Sequence, residues 1–119
     1  MLIATLLAAQ LAAVEPAYAE AKARADEYEA LLTTKDRTAL VDAQTRALED
    51  ALQVCGPAPA RGAPITVVVR IGRDGLPEST WRNGESEFGV CVERELGATR
   101  LPVATGKAFY TSYELSFAP

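Results

Sequence analysis

A chain of 119 residues is one domain's worth. Its formal charge of -4 is mild, its acidic and basic residues are interspersed, and no basic run exceeds two residues, which excludes nucleic acid as a main partner and electrostatic docking on anionic lipid. The sequence holds two cysteines and no histidine, so the commonest general base, the histidine-dependent nucleophile pairs and the usual structural zinc sites are missing; no catalytic residue, metal ligand or cofactor is expected.

The run from Met1 to Val14 is apolar and uncharged apart from the amino terminus. It is shorter than the roughly 20 apolar residues that span a bilayer, and it fits the core of a signal peptide. Ala17 and Ala19 put small side chains where a signal peptidase needs them, with cleavage before Glu20, and Pro16 ends the helix just upstream. No Lys or Arg precedes the run and Glu15 sits near its end, so the alternative is an apolar helix packed in the fold. With no cysteine near Ala19, neither a lipid anchor nor a stable membrane attachment after cleavage is expected. The expected division is a signal peptide over 1–19, a helical extension over 20–34 and the main domain over 35–119.

Residues 20–32 are strong helix formers whose apolar content is mostly alanine. A solvated helix is expected, docked loosely through Tyr28, Leu31 and Leu32. Thr33, with Asp36 three residues on, signals the start of a second helix running from about Lys35 to Val54. Val41, Leu48, Leu52 and Cys55 follow a helical repeat, with Leu40, Ala47 and Ala51 widening the stripe. Gly56-Pro57 stops it, and prolines at 57, 59 and 64 make a stiff loop.

Ile65, Val67, Val69 and Ile71 alternate onto one face of the clearest strand. Gly72-Arg73-Asp74-Gly75 predicts a tight turn, and the partner strand returns over Leu76 to Arg82. Pro77 cannot donate to a ladder and belongs on an edge. Ser86 is a candidate cap for a short helix with Phe88, Cys91, Val92 and Leu96 inward and Gly97 at its end. After a loop, Ala108 to Phe117 forms the last strand, with Phe109, Thr111, Tyr113, Leu115 and Phe117 on one face and Tyr110, Ser112, Glu114 and Ser116 on the other.

Cys55 and Cys91 each lie on the apolar face of a helix. If both helices pack on one side of a small sheet, the sulfurs meet and bond in an oxidising compartment. The alternative is two buried, reduced cysteines acting as small hydrophobes.

A helix ending in Cys, then Ile65 to Gly75 with its Gly-x-Asp-Gly turn, then Glu87-Phe-Gly-Val-Cys-Val-Glu-Arg-Glu-Leu96, then Leu101-Pro102 and an aromatic last strand, resembles the TonB C-terminal domain superfamily. More narrowly it is similar to the paired-cysteine branch found in gliding-motility-type envelope proteins. The resemblance covers about residues 40–119. It implies an α+β fold with helices on one face of a three-stranded antiparallel sheet, in the periplasm or secreted, and a role in contacting other envelope proteins.

In TonB itself the last strand is an edge that accepts an extended peptide. Carried over, that edge is Phe109, Tyr110, Thr111, Ser112, Tyr113, Glu114 and Leu115. Energy transducers keep a membrane anchor and a long Pro-rich spacer, and the family has a proline where Glu114 stands here. The loop Val103 to Lys107 is also brief, so the fold is expected without the transducing role. The expected partner is another envelope protein, or a second copy pairing through the last strand; an enzyme accessory is the remaining alternative.

Other side chains have bland expectations. Glu93, Arg94 and Glu95 read as a solvated helix face. Arg70, Arg73 and Arg82 read as surface charge rather than as readers of an acidic partner. Trp81 reads as a strand residue covered by the chain's own helix rather than as a binding anchor.

Overall fold

The computed structural model describes residues 16–117. The apolar run read as a signal-peptide core therefore lies outside the described residues. Among the described residues, three helices, α1 (Tyr18–Leu31), α2 (Thr34–Cys55) and α3 (Glu87–Leu96), accompany the strands β1 (Ile65–Ile71), β2 (Pro77–Asn83) and β3 (Phe109–Leu115). The sheet is antiparallel with order β2-β1-β3, so β1 is central and both other strands are edges.

The β1 alternation sorts the molecule into layers. Ile65, Val67, Val69 and Ile71 face α2 and α3, where they join Leu40, Ala47, Ala51, Val92, Leu96, Leu101, Phe109 and Tyr113 in the main core. Val68 points the other way and is buried under Ala21 and Ala25 of α1, with Tyr18, Trp81 and Tyr110 around it. β1 is thus covered on both faces, and its run of three consecutive valines is the sequence mark of that.

Two helix expectations need correction. Of the three residues expected to dock α1, Tyr28 and Leu32 do pack against the main core, Tyr28 stacked on Phe109 at a centroid distance of 4.5 Å, but Leu31 is 80% exposed, and the tight contact is instead the i, i+4 pair Ala21 and Ala25. Alanine lets the helix axis approach the sheet closely, so a face that looks thin in sequence packs tightly. The buried stripe of α2 is centred on Leu40, Ala47 and Ala51, while Val41 is exposed. The stripe is turned by about one position, so that Leu48 and Leu52 flank it only partly buried.

Both predicted caps form. The Thr33 hydroxyl accepts from Asp36 N–H at 3.1 Å, and the Ser86 hydroxyl from Gly89 N–H at 3.1 Å. The hairpin turn closes through Gly72 N–H to Leu76 O and Gly75 N–H to Gly72 O. It is latched to the loop before β3: Leu101 N–H donates to Gly75 O at 3.0 Å, and the Arg100 guanidinium to Asp74 O. Gly75 is obligatory there, because its φ is +86° and a Cβ would stand 2.7 Å from Leu101 O. A register shift at Arg70/Ile71 precedes Pro77, which sits on edge strand β2.

Candidate interaction edges

The last strand occupies a sheet edge, and the side chains of Phe109, Thr111 and Tyr113 are buried inward. Tyr110, Ser112 and Glu114 lie on the α1 side, and Leu115 is half-buried. The edge is not bare. Gln44 of α2 donates through Nε2 to Thr111 Oγ1 at 2.9 Å and to Ser112 O at 3.1 Å. The Ser112 carbonyl thus points out of the sheet, and in an extended strand its N–H points the same way.

Beside this point α1 and α2 leave a cleft of about 270 Å³, whose lining includes Asp26, Glu29, Gln44, Ser112 and Glu114. Lys22 bridges Asp26 and, at 3.4 Å, Glu114. Desolvation lowers the Lys22 pKa, but the two carboxylates outweigh it and hold the ammonium above its ordinary value. The cleft wall thus holds three carboxylates, those of Asp26, Glu29 and Glu114, the first and last of which are paired with Lys22.

On the α1 side, Tyr110 meets Trp81 at 5.7 Å between ring centroids, and the guanidiniums of Arg24 and Arg70 stand 5.4 and 5.9 Å from its own. Trp81 Nε1 donates to Pro16 O at 2.8 Å. Trp81 is thus covered by α1 and the segment leading into it. Ala17, Ala19 and Glu20 lie at the start of α1, with Ala17 as its extended N-cap.

The second edge, β2, borders a groove of about 440 Å³ against α3. Glu93 ties the two together, accepting from Arg82 Nε at 3.0 Å and Thr80 Oγ1 at 2.9 Å. This corrects two expectations: Glu93 is a partly buried clamp rather than a solvated helix charge, and Arg82 is committed to it. Arg94 is exposed, as expected of that helix face. Arg70 pairs with Glu78 at 3.3 Å.

Cys55 and Cys91 are bonded, with Cα atoms 5.8 Å apart, and join the end of α2 to the middle of α3. The tie is consistent with an oxidising, extracytoplasmic location. Among the described residues, no helix is long and apolar enough to cross a membrane.

Sequence reasoning passed over Gln44, although a signal was present. Gln44 lies four residues after Leu40 and three before Ala47, on the buried stripe of α2, and a polar side chain there needs a partner. Comparison with family models, with curated proteins and with solved structures finds no match.

Proposed function

We propose that this chain is a non-enzymatic protein-interaction module of TonB C-terminal-like fold, working in the periplasm or outside the cell. Its partner is another envelope protein, which supplies an extended segment to the edge of β3. The observation that carries this reading is the strand order β2-β1-β3, which leaves the outward backbone of Ser112 facing the cleft between α1 and α2. The added strand takes over the carbonyl that Gln44 now occupies, so Gln44 acts as a removable cover for an edge that would otherwise invite indiscriminate pairing.

The test places a photo-crosslinking side chain at Ser112 of the exported protein. One defined heterologous adduct is expected. Ser112→Pro, which removes an outward N–H while sparing the β1 ladder, abolishes partner binding with the fold retained. Absence of any adduct from folded, oxidised protein refutes the reading, and an adduct to a second copy replaces it with self-association.

A further inference from the structure

The Cys55–Cys91 bond joins two electrically unlike positions. Cys55 is the last residue of α2, where the helix carbonyls concentrate about half a negative elementary charge, and no Lys or Arg stands in that turn. Cys91 lies inside α3, and Arg94 Nη2 donates to its Sγ at 3.4 Å. The Nε of the same guanidinium faces Glu95 at 3.6 Å. Both cysteines are partly buried, and Cys55 also packs against the main core.

In thiol–disulfide exchange one sulfur accepts the attacking thiolate and the other departs as a thiolate; the one of lower pKa leaves faster. A neighbouring cation lowers a cysteine pKa, and the negative pole of a helix disfavours a thiolate. The two effects act on different sulfurs and select the same leaving group.

We propose that this disulfide is an exchange site of fixed polarity for small thiols and dithiol oxidoreductases. The incoming thiolate bonds to Cys55 Sγ, the sulfur–sulfur bond breaks, and its electron pair leaves on Cys91 Sγ beside Arg94. A second thiolate then attacks the mixed disulfide and frees Cys55 as a thiolate. The two reductant sulfurs leave as a disulfide, having passed two electrons to the cysteines. Run backwards, the Cys91 thiolate closes the bond by attacking a mixed disulfide on Cys55. This polarity is independent of which sheet edge takes a partner.

Oxidised full-length protein is treated with reduced glutathione in the presence of iodoacetamide, quenched in acid and mapped by peptide mass spectrometry. Glutathione is expected on Cys55 and the alkyl group on Cys91, favoured at least about fivefold over the reverse adduct. Arg94→Ala reduces that preference about two- to fivefold, the scale of an exposed ion pair, and Arg94→Lys restores most of it. An equal split, glutathione on Cys91, or a bond inert to millimolar glutathione in the folded protein overturns the proposal. The wild-type map decides the polarity even if a variant fails to fold.

Discussion

Ala25→Asp is expected to detach α1 while leaving the sheet and the other two helices folded. Ala25 is 2% exposed and packs with Ala21 over Val68. The two alanine methyls contribute about 0.8 kcal/mol each on burial. The Tyr28–Phe109 stack adds about 1 kcal/mol beyond its area, and the Trp81–Pro16 hydrogen bond about 1 kcal/mol. The exposed Lys22–Glu114 pair adds less than about 1 kcal/mol. These contacts sum to about 4 kcal/mol, to which the burial of Val68 adds and from which the cost of ordering the helix subtracts.

Burying an unpaired carboxylate costs several kcal/mol, so releasing the helix is cheaper than holding the charge under it. Once free, a helix of 14 residues is marginal in water and frays. Native-state hydrogen exchange is the assay: α1 amides approach solvent rates while β1 amides keep their protection, and Trp81 emission shifts red. If β1 loses protection together with α1, or α1 stays protected, the two-layer account of this helix is wrong.

Four further substitutions have defined outcomes. Replacing both Cys55 and Cys91 by serine opens a loop spanning 36 residues and is expected to cost about 4 kcal/mol in urea unfolding. The Tyr113 hydroxyl is buried with no hydrogen-bond partner among the described residues, so Tyr113→Phe should stabilise by about 1 kcal/mol. Burial raises the Tyr113 pKa. Its neutral form therefore contributes fully below the unfolded value of about 10 and loses that contribution as pH rises through the native value; Tyr113→Phe should flatten this alkaline slope. Gly75→Ala combines a left-handed backbone with a Cβ 2.7 Å from Leu101 O, and should cost more than about 2 kcal/mol in urea. Gly106→Ala, at φ +72° with open space around it, carries the backbone term alone and should cost about 1 kcal/mol.

Local chemistry is written in short stretches of chain, and there the sequence was sufficient. Alternating Ile65, Val67, Val69 and Ile71 specify a strand, Asp74-Gly75 a turn, and Thr33 and Ser86 helix starts. Each depends on neighbours within a few residues, or on one face of one element.

What only the tertiary structure decided is which surfaces meet. A pair of alanines four apart is weak evidence by itself, because burying a methyl gives little energy until a strand such as β1 offers Val68 to cover. Gln44 and Glu93 read as ordinary polar side chains until the fold brings Ser112 and Thr111 to one, and Thr80 and Arg82 to the other. Those partners lie 67 and 68 residues from Gln44, and 13 and 11 from Glu93. Partner choice over such separations is settled by packing, and periodicity along the chain carries no record of it.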